Sequence, residues 1–266
     1  MDIESSHAHV SSWLAKFSDA LEKVDTHALK SLFAKDCYWR DLVAFTWNIK
    51  TMEGREAIAD MADTTLENVR PTNWQIKGEP ITADGITEAW LTFETNAVHG
   101  KGHVRLNEHG CWTLLTTAQE LKGFEEKKGT NRDMGVSHGA IKDRKTWSER
   151  RECEARELGY KTQPYVVIIG GGQGGIGLGA RLRRLGVPTI IVEKNDRPGD
   201  SWRKRYKSLC LHDPVWYDHL PYLPFPDDWP VFSPKDKIGD WLESYTKIME
   251  LNYWARTTCQ SASYDA

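Results

Sequence analysis

The stretch "YVVIIGGGQGGIGLGARLRRLG" (residues 165–186) decides the fold of the second half of the chain. Its apolar start is typical of a parallel strand that is buried on both faces. Gly170, Gly172 and Gly175 then give the spacing G-x-G-x-x-G, and a basic run of helical composition follows. A second apolar run, "TIIVE", comes next and ends in Glu193. This strand–helix–strand pattern, with an acid roughly 20 residues past the loop, predicts a dinucleotide-binding unit.

Each glycine of the motif has a mechanical task in such a unit. Gly170 allows a tight turn, Gly172 lets the backbone approach a pyrophosphate, and Gly175 lets the helix pack closely on the strand. The free N–H groups at the helix N-terminus attract phosphate. Glu193 can accept hydrogen bonds from an adenosine ribose, whereas a 2'-phosphate there would meet like charge. The site should therefore prefer FAD or NAD over NADP, and a merely glycine-rich turn is the weaker interpretation.

The segment after Glu193 departs from a simple NAD-binding domain. It contains "GDSW" (199–202), "RYKSLCLH" (205–212) and "LPFPDDWPVF" (223–232), followed by a helical "KIGDWLESY". With the glycine motif, this region resembles flavin-dependent monooxygenases, a class that includes flavin-containing monooxygenases, Baeyer–Villiger monooxygenases and the plant auxin-forming enzymes. The resemblance covers residues 164–266 and is closest to a subgroup with an extra N-terminal domain.

The resemblance implies two cofactors, FAD and NADPH, together with O2 and a small organic substrate such as an indole-pyruvate-like keto acid. In such enzymes NADPH reduces FAD, and one oxygen atom of O2 passes to the substrate, while the protein orients the rings and excludes water. Ser201 and Trp202 match the loop along the FAD, Lys194 lies near the adenine, and His212 matches a position at the reactive flavin edge. His212 is thus the catalytic candidate. The predicted cofactor-binding residues are Gly170, Gly172, Gln173, Gly174, Gly175, Glu193, Lys194, Ser201, Trp202, His212 and Asp213.

Two motifs of the monooxygenase class do not occur in the sequence. A second G-x-G-x-x-G/A would bind NADPH, and an F-x-G-x-x-x-H fingerprint would lie between the two halves; neither is found outside the glycine loop of residues 170–180. We therefore expect the chain to correspond to the N-terminal portion of such an enzyme, with an incomplete Rossmann-type FAD-binding domain. A disulfide reductase begins with the same unit, but its redox pair requires two nearby cysteines, and Cys210 has no close partner.

The first half of the sequence predicts an α+β domain over residues 1–124. Helical spacing over 11–34 follows "SS", taken as an N-cap, and strands follow with "HGKG" (99–102) taken as a turn. Helices followed by an antiparallel meander resemble the SnoaL-like, nuclear transport factor 2-like cone. Residues 125–163 then predict a charged linker and helix before the FAD-binding Rossmann domain of residues 164–266.

The resemblance to the cone leaves its role open. An accessory role, in homodimer formation or in shaping substrate access, is the favoured interpretation. As an alternative, the domain could be a small isomerase or dehydratase, with Asp41, His99 and His103 as acid–base groups and a tryptophan-lined pocket. The wall residues would then be Trp39, Trp90 and Trp112.

The overall composition excludes several classes of function. A net charge of -3 with 27% charged residues gives no basic field for nucleic acid. No apolar run is long enough for a membrane span, and no cluster suggests a metal site. The five cysteines include no C-x-x-C, which favours a reducing cytoplasm. The alternative to an enzyme is a catalytically inactive fragment that acts through the cone as a binding or dimerisation module.

Overall fold

The protein is described by a computed structural model that covers residues 3–136 and 138–265. Its contacts form two compact units, Met1–Glu125 and Glu126–Ala266. Each unit has its own hydrophobic core. The finer division at 1–124, 125–163 and 164–266 remains a prediction.

The first unit packs helices against one face of a six-stranded sheet. Its helices are α1 (Ile3–Glu22), α2 (Thr26–Ser31) and α3 (Gly54–Val69). Its strands are β1 (Phe33–Leu42), β2 (Ile49–Glu53), β3 (Thr72–Ala83), β4 (Ile86–Glu94), β5 (Val98–Asn107) and β6 (Gly110–Leu121). The strand order is β2-β1-β6-β5-β4-β3, in which only the β1–β6 pair is parallel.

Aromatic side chains fill the core of the first unit. Trp13 stacks on Phe17 with ring centroids 4.6 Å apart, and Phe17 also packs edge-on against Phe33. Phe17 also packs edge-on against Trp74, which in turn stacks on Phe93 with ring centroids 4.4 Å apart. Buried aromatic rings contribute large apolar areas and favour offset or edge contacts. Trp13 and Trp74 therefore serve packing in this core.

Three local expectations for the first unit were wrong. Helix α1 begins at Ile3, so Ser11 and Ser12 lie inside it rather than at its N-cap. Strand β3 was missed, because it is an edge strand whose largely exposed pattern carries little alternation. The predicted turn at 99–102 is part of β5. Gly100 lies there because a Cβ atom would come within 2.3 Å of the Phe93 ring.

The second unit is built around a parallel three-stranded sheet with the order β7-β8-β9. Its strands are β7 (Val166–Ile169), β8 (Thr189–Val192) and β9 (Tyr253–Trp254). Its α-helices are α4 (Trp147–Glu157), α5 (Gln173–Arg184), α6 (Asp200–Arg203) and α7 (Lys235–Ile248). The predicted strand–helix–strand order is therefore present as β7–α5–β8.

Strand β7 is covered on one face only within this unit. Ile168 is buried under α5, but Val167 and Ile169 are 53% and 64% exposed. The expectation of a strand buried on both faces was wrong, because α5 covers one side of β7 and no described element of this unit covers the other. The continuous apolar run shows that both faces of β7 are apolar. It does not show whether both faces are covered within this unit.

Ion pairs attach the charged helix α4 to the rest of the second unit. Glu154 accepts hydrogen bonds from Arg183 of α5 and, at 3.0 Å, from Asn252. Arg151 donates to the Glu250 carbonyl at 2.5 Å. The capping box of Thr146 and Glu149 fixes the start of the helix. Polar contacts therefore hold α4 although none of its residues is fully buried.

The whole chain is thus of mixed α/β class, as predicted. The assignment of the first unit to the SnoaL-like cone and of the second to an FAD-binding domain remains a prediction. None of the helices in the described part of the chain has the length and apolar character needed to cross a membrane. All five cysteines are free.

Candidate functional site

The glycine loop lies between the end of β7 and the start of α5. Gly170 adopts φ +102°, a conformation that favours glycine. Gly172 is the N-cap of α5 and carries extended backbone angles that any residue can adopt. The first N–H groups of α5 have no hydrogen-bond partner within the helix and follow directly after this turn. Such N–H groups commonly bind anions.

Two glycines of this loop are required by packing, and two leave open space. A Cβ atom on Gly175 would lie 2.0 Å from the Gly170 carbonyl oxygen, and one on Gly171 would lie 2.2 Å from the Tyr253 hydroxyl. In contrast, a Cβ on Gly172 would meet only the Ser201 hydroxyl, at 3.8 Å, and one on Gly174 would meet nothing within 4 Å. The loop thus keeps an empty cradle at the helix N-terminus that the protein itself does not fill.

Glu193 supports the loop from the end of β8. It is 7% exposed, and its Oε2 accepts a hydrogen bond from the Gly171 N–H at 2.7 Å. Its Oε1 accepts from the backbone N–H and the side-chain amide of Asn195, at 2.9 and 2.7 Å. A carboxylate has about four acceptor positions, so one remains for a ligand hydroxyl. Lys194 beside it is exposed to solvent.

Tyr253 closes the loop from β9. Its hydroxyl donates to the Gly171 carbonyl at 2.9 Å. Burial and then the charges of Glu193 and Asp200 raise the pKa of Tyr253 far above its ordinary range, so the hydroxyl stays protonated as a donor. Sequence reasoning missed Tyr253 and Asn195. Asn195 follows the acid by two residues, but nothing in the sequence links Tyr253 to a loop 82 residues earlier.

The short helix α6 brings two predicted residues to the glycine loop. Ser201 is the neighbour of the Gly172 position, and the Trp202 indole N–H donates to the Gln173 amide oxygen at 3.1 Å. The helix is seated by Gly199, where a Cβ would lie 2.1 Å from the Gly239 carbonyl oxygen of α7. The predicted set Gly172, Gln173, Ser201 and Trp202 is therefore contiguous.

A cleft of about 370 Å³ opens beside this set. It is lined by Gln173, Trp202, His212 and Asp213 among the predicted residues. The volume lies in the range of small-molecule sites. His212 and Asp213 are exposed and thus reachable by a ligand. Glu193 and Lys194 lie outside the cleft lining, on the β8 side of the loop. The site therefore has two regions, joined at the start of α5.

In the first unit, Asp41 is not available as an acid or base. It is fully buried, and its carboxylate accepts hydrogen bonds from three backbone N–H groups in residues 44–46 and from the hydroxyls of Thr46 and Thr116. Trp39 is fully buried as well and donates to Thr116 at 2.8 Å. These residues form a closed polar network that ties the turn after β1 to β6, so the catalytic interpretation of Asp41 was wrong.

The histidines and tryptophans proposed for a pocket in the first unit do not converge with Asp41 and Trp39. Trp90 is 44% exposed and packs on His103 with centroids 4.6 Å apart. His99 bonds to Glu125 at 3.0 Å. Strand alternation explains the result, since Trp90 lies on the face of β4 opposite to the buried Leu91.

No group of three or more metal-ligating side chains is found within residues 3–136 and 138–265.

The curated relatives of this chain include several indole-3-pyruvate monooxygenases, which confirms the resemblance predicted from the sequence. It is similar to indole-3-pyruvate monooxygenase YUCCA1 of Oryza sativa subsp. japonica, with 34% identity over 125 residues, 47% of this chain and 29% of that protein. It is also similar to the probable indole-3-pyruvate monooxygenase YUCCA3 of Arabidopsis thaliana, with 40% identity over 37% of this chain and 23% of that protein. The chain thus spans about a quarter of the length of these relatives. No protein-family model matches it.

Solved structures are similar to part of the chain, with TM-scores below 0.5. A flavin-containing monooxygenase from Stenotrophomonas maltophilia is 29% identical, with a TM-score of 0.36 over 38% of this chain and 31% of that one. A protein described as a putative dehydratase from the NTF2-like family, from Streptomyces avermitilis, is 10% identical, with a TM-score of 0.36 over 44% of this chain and 99% of that one.

Proposed function

We propose that this chain carries the FAD-binding portion of an NADPH-dependent flavin monooxygenase. The observation that carries the proposal is the empty cradle at Gly172, set at a helix N-terminus and joined by Gln173 to a cleft lined by rings. The relatives named as monooxygenases support the same class. FAD, when bound, supplies the redox chemistry, and the residues of this chain bind and orient it.

Several of the predicted residues have a part in holding the dinucleotide. The N–H groups at the start of α5 bind the pyrophosphate above Gly172. Glu193 has a free acceptor position for an adenosine ribose hydroxyl, and Lys194 lies beside that region. Ser201 and Trp202 border the path from the cradle to the cleft. His212 presents a polar ring nitrogen in the cleft, where it can hold or move a proton near the reacting ring edge.

The substrate and the second cofactor belong to the same proposal. Two relatives are named as indole-3-pyruvate monooxygenases, so a planar keto acid of that kind is the substrate class to test first. NADPH as reductant and O2 as oxygen donor follow from the resemblance to the class. A cytoplasmic location is supported by the five unpaired cysteines.

Retention of FAD after removal of free flavin tests the proposal. The purified chain is mixed with FAD, filtered, and its visible absorption is recorded. We expect Gly172→Val to lose the bound flavin, because the valine side chain fills the cradle while its backbone angles remain allowed. Gly177→Ala is the matched control: its Cβ meets neighbours only at 3.8 Å or more, and alanine favours the helix. A folded wild-type chain that retains no flavin contradicts the proposal, and flavin retained by Gly172→Val contradicts the site.

We propose homodimer formation through the first unit as a second role, and a separate observation supports it. Trp90 is 44% exposed on the outer sheet face, and the Lys101 ammonium lies 3.8 Å from the centre of its ring. Exposed aromatic rings of this kind are enriched in interfaces. Light scattering on the wild type and on Trp90→Glu tests this role. A monomeric wild type contradicts it, and so does a dimer that survives the substitution.

A further inference from the structure

Two buried polar atoms, which belong to residues that line the cleft, have no hydrogen-bond partner among the described residues. They are Oδ2 of Asp218 and the indole Nε1 of Trp241. Both residues line the cleft that also contains Gln173, Trp202 and His212. Native proteins rarely leave buried polar atoms unpaired, because each loses its bonds to water without replacement. A ligand in the cleft would supply what these two atoms lack.

The chemistry of the two atoms restricts that ligand. An ionised carboxylate only accepts hydrogen bonds, and an indole only donates one. The ligand must therefore present an N–H or O–H group to Asp218 and an acceptor to Trp241. The rings of Tyr217 and Phe225 also line the cleft, which favours a flat molecule.

The charges around the cleft exclude an anionic ligand group at this place. None of its described lining residues is lysine or arginine, and Asp213 and Asp218 are both present. Burial and then the charge of Asp213 raise the pKa of Asp218, which His212 partly offsets. A neutral ring that donates an N–H relieves this carboxylate, whereas a phosphate or a carboxylate would be repelled.

We infer that Asp218 and Trp241 hold the imide edge of the flavin ring. The ring N3–H donates to Asp218 Oδ2, and an adjacent ring carbonyl accepts from Trp241 Nε1. The inference rests on the proposed function. It also explains how one ligand joins the two regions of the site, because Gln173 begins α5 beside the cradle and lines the cleft.

Lumiflavin tests the inference separately from the glycine loop, because it carries the ring without ribityl or phosphate groups. Its affinity is measured by fluorescence titration, beside that of N3-methyl-lumiflavin. We expect Asp218→Ala and Trp241→Phe each to weaken lumiflavin binding by about tenfold. N3-methylation should weaken binding by a similar factor in the wild type and cause no further loss in Asp218→Ala. Asp227→Ala, an exposed acid of the same segment, is the matched control.

The outcomes separate this inference from the proposed function. The inference is overturned if both variants bind lumiflavin as tightly as the wild type does and the wild type binds N3-methyl-lumiflavin equally well. FAD retention that depends on Gly172 would still support the proposed function in that case. If lumiflavin follows the expected pattern but FAD is not retained, the ring site stands and the dinucleotide site does not. If a folded wild type binds neither flavin, both are overturned. Thermal melting of each variant shows that the losses do not come from unfolding.

Discussion

At the scale of single residues, the glycines of the loop between β7 and α5 are needed for different physical reasons. A side chain at Gly175 would clash with the Gly170 carbonyl oxygen, so glycine is required there for packing of the fold. Gly172 has open space around its Cα, and that space is where we propose that the ligand binds. The motif G-x-G-x-x-G predicted the close packing at Gly175, and the ligand-binding role of Gly172 stays a prediction. It could not distinguish which additional glycines matter, and Gly179, against which Ile191 packs, is one that does.

The buried carboxylate of Asp41 gives the sharpest stability prediction. We expect Asp41→Asn to lower the free energy of unfolding by about 3 kcal/mol, because the new amide group would face hydrogen-bond donors inside the core. Urea denaturation of the two proteins measures this difference. Asp36→Asn on the same strand is the control, since Asp36 is exposed and should change stability by less than about 0.5 kcal/mol. Equal midpoints for Asp41→Asn and the wild type would show that the network contributes nothing.

At the scale of elements, Glu126 joins α5 to the segment that borders the cleft. It is 8% exposed and accepts hydrogen bonds from Arg181 of α5 and from the Tyr222 hydroxyl. Tyr222 itself has φ +75°, a strained conformation for a residue with a side chain. The neighbouring Pro221 carbonyl accepts from Tyr245 of α7 at 2.6 Å. These contacts hold a proline-rich segment that forms no regular element of its own.

We expect Glu126→Gln to increase the rate of limited proteolysis in residues 204–222. The neutral amide removes the charge that strengthens the hydrogen bonds from Arg181 and Tyr222, so the strained segment opens more often. Mass spectrometry of the fragments over time measures the effect. Glu125→Gln is the matched control, because Glu125 bonds to His99 in the first unit instead. Cleavage at the wild-type rate in Glu126→Gln would mean that other contacts hold the segment.

Helix α4 should detach from its neighbours at low pH. Burial alone would raise the pKa of Glu154, but hydrogen bonds from Arg183 and Asn252 and the charges of Arg183 and Arg151 outweigh it, so the pKa lies below its ordinary value. A carboxyl whose folded-state pKa is depressed stabilises the fold above its unfolded pKa, near 4.3. That contribution is lost as the pH falls through the folded value.

Glu154→Gln tests this pH dependence. At neutral pH we expect it to cost about 1 kcal/mol, since the pair is only partly buried. The difference from the wild type should shrink as the pH falls below about 4, because the wild-type carboxyl is then protonated as well. Unfolding curves at several pH values measure it, with Glu152→Gln as an exposed control on the same helix. A difference that does not depend on pH would contradict the assignment.

At the scale of the whole molecule, the chain has two separate hydrophobic cores. The first contains the aromatic cluster of the first unit. The second lies between α5, α7 and residues 211–225, which we call the cleft segment. A ligand stabilises only the cooperative unit to which it binds. The two cores therefore offer an internal control for cofactor binding.

We expect FAD to raise the unfolding midpoint of the second unit and to leave that of the first unchanged. At 100 times the dissociation constant, the stabilisation is about 2.7 kcal/mol. Hydrogen exchange with mass spectrometry resolves the two units by peptide. AMP, which lacks the flavin ring, should protect the glycine loop and not the cleft segment. Protection by FAD in residues 1–125 alone would contradict the assignment of the site.

The sequence by itself determined the βαβ unit, the position of Glu193 and the class of relatives, because the spacing of glycines and apolar runs is a local property. It also predicted four contiguous members of the site, from Gly172 to Trp202. Only the tertiary structure showed the hydrogen bonds of Asp41 and Tyr253 and the unpaired buried atoms of Asp218 and Trp241. Burial and hydrogen-bond partners depend on residues far away in the chain, such as Tyr253 on Gly171, and no local pattern encodes them. The same reason applies to β7, whose apolar run could not reveal that one of its faces is left open within this unit.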